Sequence, residues 1–394
     1  MVRMKILTIH NKYKLRGGED ESREAEDALL IERGHEIRYV VFDNSRIGRL
    51  NVLRVALQAT WSQTAYNRVR QAIVNWRPDI VDVHNFFPLA SPSVHYAATD
   101  CRVPVVQTLH NYRLLCPSAG FFRNGRICEE CLGKRVPWPG VVHGCYRGSR
   151  PGTLAVAAML TIHNVLATWQ KRVTLFVALT DFQRQKFVAA GLDTAKITVK
   201  PNFVPVDLGA GRGDGDYVLY VGRLSMEKGV RVLLEAWKRA ACPGRLILVG
   251  DGPLAPWLRK LAESERSLVY LGRRPLRDVY ELMGGARALA FPSMWYEGMP
   301  RTIIEAFCRG TPVIASRTGS MTEMVADGET GWLVQPNDPV ALAARLREVF
   351  GETERLTGMR AAARRMFEAR YTPQVNYRFL MDIYNRAILL GRGA

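Results

Sequence analysis

Short apolar runs alternate with longer segments of helical periodicity along almost the whole chain. In the first half the runs fall at Lys5 to His10, Ile37 to Phe42, Ile80 to His84, Pro104 to Leu109, Leu175 to Leu179 and Ile197 to Lys200. Runs of this length without a polar face are expected of strands covered on both sides. Between them, Glu19 to Arg33 and Val55 to Trp76 carry helical spacing. Strand and helix in strict alternation predict a parallel sheet wrapped by helices, a doubly wound α/β domain.

The second half repeats the rhythm: YVLYVG (217 to 222), RLILVG (245 to 250), LVYLG (268 to 272), ALAFPS (288 to 293), PVIAS (312 to 316) and GWLVQ (331 to 335). A last helical pattern, Pro373 to Leu390, has no strand after it and is expected to pack back across the first domain. At 394 residues the chain exceeds one ordinary core, since domains hold roughly 100 to 200 residues. Pro205, Gly209, Gly211, Gly213 and Gly215 read as a linker, which predicts domains 1–204 and 205–394.

The rhythm stops between Tyr112 and Arg150, where Gly, Pro, Cys and Arg accumulate. A structureless loop of that length needs an explanation. Cys116, Cys128, Cys131 and Cys145 follow a C-x11-C-x2-C-x13-C spacing, which suits a closed tetrahedral zinc site with Zn–S distances of roughly 2.3 Å. Such a metal would order a segment lacking a core of its own. His110 and His143 are alternative ligands, an iron–sulfur cluster is a second choice, and four unrelated thiols or two disulfides are the plain alternative. Cys101, Cys242 and Cys308 are scattered and read as small buried hydrophobes.

Composition narrows the partners. Hydrophobic residues at 47% and charged residues at 23% suit a folded protein. A formal charge of +18 favours anionic partners: phosphates, nucleic acid or an acidic membrane face. The opening MVRMKILTIHN runs straight into a strand pattern, so the expectation is a cytoplasmic protein with reduced cysteines. The apolar stretch Thr153 to Trp169 is shorter than the ~20 residues of a membrane span and reads as a buried or amphipathic helix. Segment 46–61 mixes Arg46, Arg49 and Arg54 with apolar residues, which suits peripheral contact with an anionic bilayer as well as it suits a helix covering its own core.

Two segments carry the chemistry. In FPSMWYEGMPRTIIEAFCRG, Glu297 sits in a Gly and Pro turn beyond a buried strand, and Glu305 lies in the helix that Pro300 opens. In VGRLSMEKG, Arg223 and Lys228 follow the first strand of the same domain. Arg offers a fork of donors and Lys a point charge, the pair a diphosphate requires. Both segments sit at carboxyl ends of strands, where open α/β sheets bind ligands. In the first half, Gly17 and Gly18 open a helix after the first strand, where backbone can approach phosphate unobstructed. His110 ends the strand VPVVQTLH, while His10 and His84, also at strand ends, read as ordinary buried or capping histidines.

Taken in order and spacing, GRLSMEKG, LVGDGPL and FPSMWYEGMPRTIIEAFCRGTPVIAS resemble the family 4 retaining glycosyltransferases (glycosyl transferases group 1), and the resemblance runs from Gly17-Gly18 to the final helix. It implies a GT-B fold, two Rossmann-like domains facing across a cleft, with acceptor on the first and nucleotide on the second. It implies that Arg223 and Lys228 hold the donor diphosphate, that Glu305 receives the ribose hydroxyls, and that Glu297 binds the hexose with the amides of Gly298 and Met299. It places His110 beside the donor sugar and Gly17-Gly18 at the diphosphate. The implied reaction is retaining hexosyl transfer from a UDP- or GDP-sugar to a saccharide or lipid-linked acceptor, in surface polysaccharide or glycoconjugate synthesis at the inner face of the membrane. No catalytic metal is expected, and Asp214-Gly215-Asp216 reads as a turn. Rival readings are a GT-B epimerase or hydrolase, a noncatalytic sugar-nucleotide binder, and a basic nucleic-acid-binding protein, for which the chain offers no motif.

Overall fold

The computed structural model describes residues 3–14, 17–49 and 52–392. The chain packs as two units: one of residues 1–121, 128–202 and 376–394, the other of 122–127 and 203–375.

The first unit holds six parallel strands, β1 (Lys5–Lys12), β2 (Glu36–Asp43), β3 (Ile80–Asn85), β4 (Val105–Leu109), β5 (Leu175–Ala178) and β6 (Ile197–Val199), in the order β2-β1-β3-β4-β5-β6. Each position of β3, β4 and β5 is buried, as expected of strands covered on both faces. Helix α1 (Gly18–Glu32) follows β1 as expected.

The helix expected over Val55 to Trp76 is two, α2 (Val52–Thr60) and α3 (Gln63–Trp76). Ser62 makes the break. Its Oγ accepts the Ala65 amide at 3.2 Å, capping α3, while its own amide donates to Ser91 Oγ at 3.0 Å. A serine that caps one helix cannot continue another.

The expected apolar helix is α4 (Arg150–Val165), capped by Ser149 and only partly buried. Before it, the Cys-rich segment contains turns, a two-stranded hairpin (Phe122–Arg123 with Arg126–Ile127) and a short helix, Trp138–Val142. It has a small core of its own, contrary to expectation: Tyr112 and Phe121 are buried with ring centroids 5.1 Å apart, and Tyr112 stacks on Phe187.

The second unit holds β7 (Tyr217–Val221), β8 (Arg245–Val249), β9 (Leu268–Gly272), β10 (Ala288–Phe291), β11 (Val313–Ser316) and β12 (Gly331–Val334), all parallel, in the order β9-β8-β7-β10-β11-β12. Helix α5 (Val230–Ala240) buries Leu233, Ala236 and Trp237 against Val218, Leu246 and Trp332 in its core. Helix α6 (Arg301–Cys308) follows Pro300.

The glycines ahead of β7, read as a linker, are packed backbone. Gly211, Gly213 and Gly215 donate their amides to the carbonyls of Arg309, Gly284 and Gly285, each at 2.9 Å. A Cβ at Gly211 would overlap the backbone of Gly284. Glycine is required there for close approach.

The last helix, α7 (Pro373–Arg392), belongs from Asn376 onward to the first unit, as its apolar pattern suggested. Tyr377 Oη meets His35 Nε2 at 2.8 Å, and Tyr384 Oη donates to Asp82 Oδ2 at 2.6 Å. Among the described residues no helix is long and apolar enough to cross a membrane.

Candidate functional site

In the second unit, the loop that leaves β7 is stitched to the loop that leaves β8. Gly222 donates its amide to Val249, Leu224 to Asp251, and Leu254 to Leu224, at 2.9 to 3.0 Å. A Cβ on Gly250 would overlap the Gly222 carbonyl, and one on Gly252 would press on Leu224. GRLSMEKG and LVGDGPL thus form one rigid double loop at adjacent strand ends. Gly229 closes it in the left-handed region, with φ +71°, and its missing Cβ admits the Pro292 carbonyl.

That closure brings Lys228 to Glu297. The Lys228 ammonium lies 2.7 Å from Glu297 Oε1, which also accepts from Ser293 Oγ at 2.6 Å. The Met294 amide donates to the Glu227 carbonyl at 2.8 Å, and Ser320 Oγ donates to the Glu297 carbonyl at 3.0 Å. Phe291 and Trp295 flank the ammonium, with ring centroids 5.7 and 5.4 Å away. Arg223 stands apart: its side chain is 64% exposed, and its Nη1 is 4.0 Å from Glu227 Oε1, which Ser225 Oγ also reaches at 2.6 Å.

Glu305 lies on α6, buried, 3.5 Å from Arg301 Nε one turn earlier. Gly298 and Met299 immediately precede the N-terminus of that helix, and the Met299 side chain is buried. Ser293, Ser320 and Glu227 were not singled out from the sequence. Serines and a glutamate beside recognisable motif residues carry no periodic signal, and only the fold shows what they hold.

In the first unit, Gly17 caps α1 and its amide donates to Asp20 Oδ2 at 3.1 Å, while Asp20 Oδ1 meets His10 Nε2 at 2.8 Å. Gly18 is the first residue of α1, and the neighbouring Leu15 and Arg16 lie outside the described residues. The glycine turn is therefore pinned to β1 through an aspartate and a histidine. His110, just beyond β4, has Nε2 3.0 Å from Nδ1 of His84 on β3. Burial, then the nearby charges of His84, His10 and Lys200, hold its imidazole well below the usual range. His10, His84 and His110 thus end three neighbouring strands. The sequence signal was present in all three, and the sheet order that makes them neighbours was not.

The four cysteines share one region. Cys116 and Cys131 are buried, and burial, with Cys116, Cys145 and Cys128 nearby, pushes the Cys131 thiol up to about 11. Cys116 Sγ faces Ser118 Oγ at 3.1 Å and Cys131 Sγ faces the Pro137 carbonyl at 3.8 Å. Among the described residues, the one set of three potential ligand groups within 4.8 Å of one another is Glu26, Asp82 and His84, so the thiols stand wider than that. His143, the alternative ligand, lies 3.9 Å from Glu130. Asp216 of the Asp-Gly-Asp turn pairs with Arg245 at 2.7 Å.

Comparison with known proteins agrees with this geometry. Residues 215–352 match the family glycosyl transferases group 1, and residues 28–202 match the glycosyl transferase 4-like domain. A glycogen synthase of Mycobacterium tuberculosis (strain H37Rv) is 28% identical over 294 residues, 71% of this chain and 61% of that protein. The O-antigen chain mannosyltransferase C of Escherichia coli is 29% identical over 161 residues, 40% of this chain and 43% of that protein. The chain thus spans less than two thirds of the length of these curated relatives. Among solved structures, Anabaena HepE in complex with UDP has the same fold, with a TM-score of 0.69 at 20% identity over 97% of this chain and 100% of that one. The two matches cover most of both units, and the chain belongs to the group 1, family 4-like glycosyltransferases.

Proposed function

We propose that this chain is a retaining glycosyltransferase that moves a hexose from a UDP- or GDP-sugar to a saccharide or lipid-linked acceptor in polysaccharide or glycoconjugate synthesis. The observation that carries the reading is the Lys228–Glu297–Ser293 cluster at the strand ends of the second unit, with Arg223 exposed on the same rigid loop. Lys228 and Arg223 hold the diphosphate and offset the charge that grows on the leaving group. Glu297, with the amides of Gly298 and Met299, binds the hexose, and Glu305 receives the ribose hydroxyls. In the first unit, Gly17 and Gly18 present backbone to the phosphate and His110 stands by the sugar.

The chemistry needs no enzymic nucleophile. The bond from C1 to the phosphate oxygen breaks, a bond from C1 to the acceptor oxygen forms on the same face, and the acceptor proton passes to the departing phosphate. No catalytic metal takes part. HepE, which shares this fold, has been solved with UDP and with UDP-glucose, which supports a uridine donor.

The protein works at the cytoplasmic face of the membrane as a peripheral enzyme. Support comes from α2 and α4, joined where His163 Nε2 meets the Thr60 carbonyl at 2.9 Å. They expose Leu57, Leu154, Ile162 and Val165, with the Trp61 ring exposed just past α2, and no acidic residue occurs in 44–78 or 131–180. The side chains of Arg46 and Arg49, part of the segment first singled out, lie outside the described residues. Sedimentation with phosphatidylglycerol vesicles, but not with phosphatidylcholine vesicles, and its loss in Trp61→Ser/Ile162→Ser, is the expected outcome. The four cysteines would hold one structural zinc by drawing together thiols no three of which stand within 4.8 Å of one another, an assignment supported by their spacing within one segment.

The deciding experiment is calorimetric titration with UDP, GDP and their sugar derivatives, with Arg223→Ala and Glu305→Ala as controls. Selective binding lost in both variants supports the reading. A folded protein that binds none of these ligands overturns it.

A further inference from the structure

The strand-end histidines of the first unit form a directed chain. Asp82 and His84 alternate on one face of β3, and the parallel register of β3 with β4 (Val81 with Val105, Val83 with Gln107) carries His84 beside His110. Asp82 Oδ2 lies 3.2 Å from His84 Nε2, and His84 Nδ1 lies 3.0 Å from His110 Nε2. The two rings lie end to end and nearly coplanar, 5.3 Å between centroids and 23° between planes. Behind them, Tyr384 Oη donates to the same Asp82 oxygen at 2.6 Å.

This arrangement is buried in charge. Asp82, His84, Glu26, Asp27, His10 and Lys200 are all removed from solvent. Lys200 Nζ neutralises Glu26 at 2.5 Å, and Arg23 neutralises Asp27. Asp82 faces His84, with the Lys200 ammonium also close enough to act on it. Burial opposes a charged His84, but Asp82, with Glu26 and Asp27 behind it, outweighs burial and pushes the imidazole up to about 9. His110 faces His84, His10 and Lys200, all cationic or able to become so, and is held neutral. Two imidazoles at 3.0 Å need one proton between them, and His84 carries it.

We propose that Asp82 and His84 are positioning residues for transfer: His84, held by Asp82, donates its Nδ1 proton to His110 Nε2 and so fixes His110 as an Nδ1–H hydrogen-bond donor. With Nε2 occupied as an acceptor, the single proton of neutral His110 is on Nδ1. His110 then offers an N–H to an oxygen of the sugar or its leaving group and has no lone pair left to serve as a base. The proposal rests on the donor reading of His110 given above and adds the residues that set its protonation.

The test separates the two. Full-length protein labelled with 15N-histidine gives imidazole spectra whose His110 signals are identified by their loss in His110→Gln. The expected result at pH 7.5 is His110 as the Nδ1–H tautomer and His84 protonated on both nitrogens. His84→Leu should move His110 to a mixture of tautomers and lower kcat at least tenfold with the donor KM within about threefold, while His84→Asn, whose amide can donate from nearly the Nδ1 position, should restore most of both. In the wild type kcat should fall as pH rises through about 9, and that limb should vanish in His84→Asn. His110 found as the Nε2–H tautomer in the wild type, or an unchanged tautomer in folded His84→Leu, overturns the proposal. If the protein binds no sugar nucleotide, the functional reading fails while the spectra still decide the chain of Asp82, His84 and His110.

Discussion

Lys228 and Glu297 lie 69 positions apart in the chain and 2.7 Å apart in the fold, joined where the loop after β7 meets the loop after β10. Both are largely buried, so each holds the other's charge in place before any ligand arrives. Lys228→Met takes a close cation from the buried Glu297 carboxylate, which keeps its bond from Ser293. Loss of stability on the order of 3 kcal/mol is expected by chemical denaturation. Glu297→Gln in the same chain should recover part of it, and strictly additive losses would show the pair to be uncoupled.

Arg223→Ala is expected to behave differently, because its side chain is exposed and the Glu227 carboxylate beside it is 4.0 Å away. The melting temperature should stay within about 1 °C, consistent with the small cost of removing exposed ion pairs. Nucleotide-sugar affinity should drop by about 1.5 to 3 kcal/mol, the range of a charge-assisted contact. Unchanged affinity by calorimetry would remove Arg223 from the donor site.

Gly250→Ala tests the double loop. Its φ of +139° strains any side chain, and the added Cβ would overlap the Gly222 carbonyl. A loss of at least about 2 kcal/mol is expected, together with weakened donor binding, because the Gly222 to Gly229 loop must shift. Gly351→Ala, where a Cβ meets open space at the end of a helix, is the control.

His84 gives stability a defined pH dependence. Its folded value of about 9 lies above the ordinary value near 6.5, so its contribution is fully present below about pH 6.5 and is lost as pH rises through about 9. Urea midpoints measured from pH 6 to 10 should decline across that window. The decline should flatten in His84→Asn, which isolates the share of this histidine.

The thiol assignment predicts close to one zinc per chain by elemental analysis of protein purified without chelator. Cys131→Ser should release it and lower the melting temperature by several degrees. A metal-free protein whose melting temperature is unmoved by chelator would show that the Tyr112 and Phe121 core alone orders this segment.

Much of the fold was legible in the chain because the signals are local. Six short apolar runs in each half, punctuated by Gly and Pro, specify two parallel sheets without reference to anything distant. The placement of the motif residues was legible for the same reason: Arg223, Lys228, Glu297 and Glu305 each sit just past a strand or in a helix that the local pattern announces. Backbone chemistry was harder to read. Ser62 looked like one more polar position on a long helix until Ser91 Oγ took its amide. The glycines before β7 looked like slack chain until Gly284 and Gly285 were found against them.

What only tertiary structure decided is which strand ends are neighbours. His10, His84 and His110 are equivalent in sequence, each a histidine closing an apolar run, and nothing local says that β1, β3 and β4 lie side by side. That order puts His84 between a buried carboxylate and a second imidazole, and it brings Tyr384, 302 residues away, onto the same Asp82 oxygen. Periodicity and turn chemistry are short-range and survive in a one-dimensional reading. The protonation of a buried group depends on which charges surround it, and those charges come from strands and helices that only the folded sheet assembles.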